Sequence, residues 1–297
     1  MIRNIIFLLF GALFASFTFA APEDIDVILR EPNLLFRGSQ VGKVDFLTAG
    51  ALRAGFGGYL MGHSYQTWQF KSAADLVPIA FGEVALWRMG VGLQGLADTG
   101  NDIGFRLVQN HYEFYTAFEA LFGPGVGYLG YRHRCRHGVD ANNISRVVMR
   151  SGPEIGYKWA FSGGPLNFTW NSWANYFITG QNQRKDAPWI YEGIFQQRML
   201  FGSVLQAEWW LRPYIGLFAT LGLGVLVATI GADTYHLTAP YNQTQAKLSP
   251  AGALGVKMRG RAGDFVVFMN VQRNIDSGFS SQVAEVNALA LTAEFLF

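Results

Sequence analysis

The feature that most constrains this chain is a two-residue alternation of apolar and polar side chains over long segments. Between 112 and 122, one set of alternating positions is mostly aromatic, whereas the other carries Glu113 and Glu119. The segments 145–159, 166–177 and 191–212 repeat the pattern. Successive side chains of a β-strand point to opposite faces, and strands of soluble proteins average about five or six residues. The length therefore predicts strands that cross a membrane, apolar outside and polar inside.

Composition supports a membrane barrel against two alternatives. Charged residues make up 15% of the chain, compared with roughly 25% in soluble domains. A soluble β-sandwich would have shorter strands. A membrane-spanning helix needs about 20 continuous apolar residues, and the one candidate beyond the N-terminus, 214–232, is interrupted by glycines. The net charge of +2 gives no reason to expect a nucleic-acid partner.

The N-terminus has the pattern of an export signal. Arg3 provides a positive charge, a short apolar stretch follows, and small residues precede Ala21. We therefore expect a signal peptide over 1–20. Residues 21–43 are predicted to form a short periplasmic or plugging segment, and 44–297 to form the barrel domain.

The C-terminus also indicates a barrel. Residues 288–297 alternate in hydropathy, and the chain ends on Phe297. This ending resembles the terminal strand of bacterial outer-membrane barrels, in which a last aromatic residue is part of the assembly signal. The resemblance implies an outer-membrane location and the barrel assembly machinery as a partner of the last strand.

Turn-forming residues give an expected strand count. Short turns alternate with longer polar loops, and five turns plus six loops connect about twelve antiparallel strands, an even number as in bacterial barrels. Both termini are then expected in the periplasm, with the long loops at the cell surface. The predicted short turns are 88–90, 123–125, 162–165, 212–213 and 259–263, and the predicted loops are 64–74, 98–102, 138–145, 181–188, 233–249 and 274–281.

The inward positions carry charges of both signs. Such charges suit either a narrow solute path or a self-neutralising network that fills a small barrel. We expect the filled lumen, because a barrel of this size has little internal space. The predicted lumen charges are Glu113, Glu119, Arg146, Arg150, Glu154, Lys158, Arg198 and Glu208.

The densest group of reactive side chains lies at 131–140. On a strand, His133, Cys135 and His137 share one face, and the three arginines between and before them share the other. This segment is predicted to be the outer end of the fifth strand. An arginine facing lipid costs about 2–4 kcal/mol at the membrane midplane and little near its surface. We therefore expect outer-membrane lipid and lipopolysaccharide to contact Arg132, Arg134 and Arg136.

Three roles are open for this group: a polar network, a catalytic site or a metal site. A Cys135 thiolate favoured by nearby cations could attack an ester, with Asp140 or Asn142 orienting His133 or His137. Three ligands spread along one strand fit a small metal ion poorly. Neither a metal nor a cofactor is predicted.

Two resemblances concern the same stretch. Residues 110–140 resemble a family of uncharacterised bacterial outer-membrane proteins with a His-x-Ser-Ser-His-x-x-Asp run at a strand end, which implies a barrel and no particular activity. More distantly, His133-x-Cys135 is similar to the His-x-Ser pair of outer-membrane phospholipase A and lipid A deacylases. That similarity implies an acyl hydrolase with Cys135 as nucleophile, His133 as base, and His137 or Asp140 fixing the imidazole. Cysteine in place of serine, and Arg136 in place of the asparagine that often follows, depart from the pattern.

Overall fold

The structure is a computed structural model that describes residues 44–61, 68–82, 84–98, 106–138, 146–184, 195–230, 243–273 and 287–297. The predicted signal peptide and N-terminal segment lie outside these residues. The described residues form thirteen strand segments: β1 (Val44–Met61), β2 (Trp68–Phe81), β3 (Ala85–Asp98), β4 (Arg106–Phe122), β5 (Gly125–Gly138), β6 (Arg146–Gly163), β7 (Leu166–Tyr176), β8 (Thr179–Arg184), β9 (Phe195–Arg212), β10 (Ile215–Ile230), β11 (Gln243–Arg259), β12 (Asp264–Arg273) and β13 (Asn287–Leu296).

The strands close into one antiparallel barrel. Neighbours along the chain pair with each other, and β1 pairs with β13 to complete the ring. The segments β7 and β8 both pair with β6 and are two parts of one strand. The barrel therefore has twelve strands, which confirms the predicted fold class, and its fifth strand begins at Gly125 as predicted.

Most of the predicted short turns are also confirmed. Connections occur after β4, β6, β9 and β11, where the sequence predicts them. The first one is wrong: 88–90 lies inside β3, and the chain turns instead at Gly82. Gly82, Gly123 and Gly164 have φ angles of 59°, 59° and 62°, a conformation that glycine adopts without steric cost. Gly90 is needed for packing and not for a turn, because the Tyr115 ring occupies the space where a side chain at this position would lie.

The two faces of the wall differ in polarity. Outward positions carry large exposed apolar side chains, as at Phe118, Leu129 and Ile155, whereas inward positions bury most of the charged groups described below. This arrangement is that of a transmembrane barrel of the outer-membrane type. No helix among the described residues is long and apolar enough to span a membrane.

A close backbone contact fixes the interruption between β7 and β8. The Ile178 N–H donates to the Ser151 carbonyl at 2.8 Å, and Gly152 lies so close to the Tyr176 carbonyl that a Cβ would collide with backbone.

We expect Gly152→Ala to cost about 1–3 kcal/mol of unfolding free energy, as overpacking does. Urea unfolding of the refolded barrel would measure the loss. Gly127→Ala is the matched control, since its Cβ would meet only ordinary contacts, and equal effects of the two variants would contradict this account.

Candidate functional site

The fifth strand carries different chemistry on its two faces. Leu129 and Tyr131 are exposed on the outside, whereas Tyr128 and Arg132 are buried in the lumen. Strand alternation therefore places His133, Cys135 and His137 on the outward face. The predicted lipopolysaccharide contact is wrong for Arg132 and Arg134, because both form ion pairs with carboxylates inside the barrel. The side chain of Arg136 lies outside the described residues.

One ionic group lies in the lumen toward the ends of the strands that the long loops connect. Arg132 donates to both Glu154 oxygens, from Nε at 2.8 Å and from Nη2 at 3.0 Å. Arg132 also forms an ion pair with Glu113, to which Arg134 Nε donates at 3.0 Å. Bidentate pairs of this kind are among the stronger hydrogen-bonded contacts in proteins. We call this group the upper layer and define it by Glu113, Arg132, Arg134 and Glu154.

A second ionic group lies near the short turns. Lys158 Nζ donates to Glu119 Oε1 at 2.6 Å, and Arg88 Nε lies 3.1 Å from the same oxygen. Lys257 Nζ lies 3.2 Å from both Glu208 and Asp264, and Arg53 pairs with Glu294 at 3.6 Å. Each cation thus has a carboxylate partner within 4 Å. This lower layer comprises Arg53, Arg88, Glu119, Lys158, Glu208, Lys257, Asp264 and Glu294.

The structure gives less detail for three other predicted lumen residues. Arg150 is half-buried, and its backbone lies directly opposite Arg134. The backbones of Arg146 and Arg198 belong to β6 and β9, and their side chains lie outside the described residues. Arg88 is not among the predicted lumen residues, because its position was predicted to be a turn. The alternation of Trp87 with Arg88 would have identified an inward position.

The outward face of β5 meets β6 in a compact polar group. His133 Nδ1 lies 2.6 Å from Ser151 Oγ, and Cys135 Sγ lies 2.6 Å from His137 Nε2. Cys135 and Ser151 are both buried, and the Tyr112 ring packs edge-on against His137 with the ring centres 5.4 Å apart. We call His133, Cys135, His137 and Ser151 the outer-wall cluster.

The contacts in the outer-wall cluster differ from those expected. The imidazole that contacts Cys135 is that of His137, whereas the sequence predicts His133 as its base. His133 contacts Ser151 instead, a residue that was missed because the pairing of β5 with β6 is not visible in local sequence. Asp140 lies outside the described residues. Across the described ranges, no set of three His, Cys, Asp or Glu side chains is arranged to hold a metal ion.

Each contact joins a potential nucleophile to an imidazole nitrogen. An imidazole within hydrogen-bond reach of a thiol or hydroxyl can act as its general base. The cluster lies on the same face of the wall as the exposed apolar side chains of Leu129 and Ile155, the face that meets lipid. A reaction there would therefore act on a membrane component.

Comparisons with known proteins give likenesses in structure only. No family model matches the chain, and no curated protein matches it. An outer-membrane phospholipase dimer from Salmonella typhi, with bound calcium, is 10% identical with a TM-score of 0.43, over 84% of this chain and 91% of that one. Outer membrane phospholipase A from Escherichia coli is 10% identical with a TM-score of 0.44, over 84% and 93%. The translocator domain of the autotransporter NalP from Neisseria meningitidis is 10% identical with a TM-score of 0.40, over 84% and 89%. Likeness at this level carries no information about function.

Proposed function

We propose that the protein is an integral outer-membrane barrel whose lumen is filled by its own side chains, so that it serves as a structural or surface protein, or at most as a narrow pore. The predicted export signal over 1–20 and the resemblance of the last strand to the terminal strands of outer-membrane barrels support the outer membrane as its location. Outer-membrane lipid surrounds the apolar belt, and the barrel assembly machinery is the proposed partner of β13. The short turns are proposed to face the periplasm, and the long loops the cell surface.

The observation that carries this proposal is the lower layer. Its charged side chains come from eight different strands and form ion pairs between strands that are adjacent or one apart in the wall. Among them, Arg88, Glu119 and Glu294 are each no more than 3% exposed. Charges buried this deeply occupy space that a wide aqueous channel would need. These buried charges support a lumen filled by side chains and a low conductance.

Location, orientation and conductance test the proposal together. We expect the protein to fractionate with the outer membrane and to show heat-modifiable mobility in gels.

In a Cys135→Ala background, a cysteine at Gly138 should react with a bulky maleimide on intact cells. A cysteine at Gly164 should react only after permeabilisation. Planar bilayers should show little or no conductance. Inner-membrane fractionation, reversed labelling or large stable channels would each contradict the proposal.

A second candidate function is lipid-directed acyl hydrolysis at the outer-wall cluster. The observation that favours it is the 2.6 Å contact between Cys135 Sγ and His137 Nε2. In this mechanism, His137 takes the thiol proton and the thiolate attacks an ester carbonyl. The alcohol leaves with that proton. Water, deprotonated by His137, then attacks the thioester carbonyl, the C–S bond breaks to release the fatty acid, and His137 returns the proton to the Cys135 thiolate. The position on the lipid-facing wall places membrane esters beside the cluster, and the buried Cys135 thiol must become accessible for the attack.

A further inference from the structure

The barrel wall closes at the seam between β1 and β13, its first and last strands. Residues 53–61 pair with 289–296 there, with a register shift inside the ladder, whereas β9 and β10 pair along their whole lengths. The β1 side of the seam includes Gly55, Gly57 and Gly58. Glycine-rich strands specify their register weakly. Backbone pairing therefore holds the seam less firmly than it holds β9 to β10.

One glutamine side chain crosses the seam on the lumen side. Gly57 of β1 lies directly opposite Gln69 of β2 on one side and Thr292 of β13 on the other. Because Gly57 has no side chain, Gln69 Nε2 reaches over it and donates to Thr292 Oγ1 at 3.2 Å. A Cβ at Gly57 would lie 2.7 Å from that oxygen and 3.1 Å from that nitrogen. Gln69 and Thr292 are both buried, so water does not compete for this hydrogen bond.

The same amide is the centre of a hydrogen-bonded chain that extends to both sides of the seam. Tyr59 OH of β1 and Gln94 Nε2 of β3 donate to Gln69 Oε1 at 3.0 and 3.1 Å. Thr292 in turn donates to Asn270 Oδ1 of β12 at 3.4 Å. We call Tyr59, Gln69, Gln94, Asn270 and Thr292 the seam clasp. The clasp joins five neighbouring strands, and Gln69 is the member that connects its two halves.

Other contacts hold the end of the seam nearest the short turns. Leu52 and Phe297 exchange backbone hydrogen bonds at 3.0 and 2.8 Å. Arg53 forms an ion pair with Glu294 at 3.6 Å. The seam clasp lies farther along β1, toward the long loops, so that end of the seam depends on Gln69.

We propose that the long-loop end of the β1–β13 seam is a lateral gate between the lumen and the membrane, and that Gln69 holds it closed. A short, glycine-rich ladder opens locally at a lower free energy than a long one. Opening there would connect the lumen sideways with lipid. The proposal goes beyond the proposed function, which concerns the path along the barrel axis.

Hydrogen exchange of the refolded, heat-modifiable barrel, followed by mass spectrometry, tests the gate. In the wild type, amides of 55–61 and 289–292 should exchange faster than those of β9 and β10. Gln69→Leu should speed exchange at the seam by about tenfold or more, as loss of several buried hydrogen bonds does. Asn171→Leu is the matched control, because Asn171 is also buried and accepts a hydrogen bond from Tyr128 at 3.3 Å. It lies on β7, away from the seam, so seam exchange should stay at the wild-type rate.

A second variant acts on the same contact without removing the glutamine. Gly57→Ala places a methyl group between Gln69 and Thr292 and should also speed exchange at the seam. Gly50→Ala is its control, because a Cβ there meets only the Asp75 carbonyl at 3.6 Å.

Wild-type seam amides that exchange no faster than those of β9 and β10 would overturn the proposal. So would unchanged seam exchange in folded Gln69→Leu, or in Gly57→Ala if Gln69→Leu does not fold. Each of these results would leave the proposed barrel intact, since location, labelling and conductance test that proposal separately.

Discussion

Glu119→Ala is expected to be the most destabilising single change in the lumen. The variant would leave Lys158 and Arg88 buried without the carboxylate that lies 2.6 Å and 3.1 Å from their nitrogens. Removing one partner from a buried ionic group costs about 3–5 kcal/mol, because the remaining charges lose their closest carboxylate in a medium that solvates them poorly. Urea unfolding of the refolded barrel, followed by gel mobility and tryptophan fluorescence, would measure the loss.

Two further variants separate charge from volume. Glu119→Gln keeps the shape and removes the charge, so it should recover only a small part of the loss. Thr220→Val is the matched control, because Thr220 is also buried in the lumen and its hydroxyl has no hydrogen-bond partner among the described residues. That variant should unfold close to the wild-type midpoint. A Glu119→Ala barrel as stable as Thr220→Val would show that the lower layer does not hold the lumen together.

The same change should affect permeation. Glu119 is the acceptor shared by Lys158 and Arg88, so its removal releases two long side chains that otherwise fill the lumen. We expect Glu119→Ala to show higher conductance in planar bilayers than the wild type. An unchanged conductance would mean that another part of the barrel closes it.

The barrel itself could be predicted from sequence, because its physical cause is local. Alternation along a segment such as 112–122 reports which face meets lipid, and no long-range information is needed. The misplaced first turn shows the limit of this reasoning. Gly90 is a glycine because the Tyr115 ring needs its space, and a glycine kept for packing looks the same in sequence as one kept for a turn.

The sites were less predictable, because pairing between strands determines them. Alternation correctly separated His133 and Cys135 from the arginines on the same strand. Both faces of this segment are polar, however, so alternation could not show which face points into the lumen. That choice depends on Glu113 and Glu154, which lie on the two neighbouring strands and draw the arginines into the lumen. The partner of His133 was missed for the same reason, since Ser151 is adjacent only through the β5–β6 register.

The second large effect is expected at the outer-wall cluster, if it hydrolyses acyl esters. Refolded barrel should then release fatty acid from phospholipid or lipid A in mixed micelles. Cys135→Ala should lower that rate by about 10³-fold or more, as loss of a nucleophile does. His137→Ala should lower it by about 10²–10⁴-fold, as loss of a general base does. Cys135→Ser should retain part of the activity, because a hydroxyl at that position still lies within reach of His137.

The His133–Ser151 contact provides the internal control for this assignment. Both members are on the same face as Cys135, so Ser151→Ala reports any non-specific effect of altering the outer wall. If Cys135 is the nucleophile, Ser151→Ala and His133→Ala should keep near wild-type turnover while the barrel stays heat-modifiable. Loss of activity in those two variants, with Cys135→Ala fully active, would reject Cys135 and assign the nucleophile to Ser151. If folded wild-type barrel released no fatty acid from either lipid, the hydrolase would be rejected and the non-enzymatic barrel would stand.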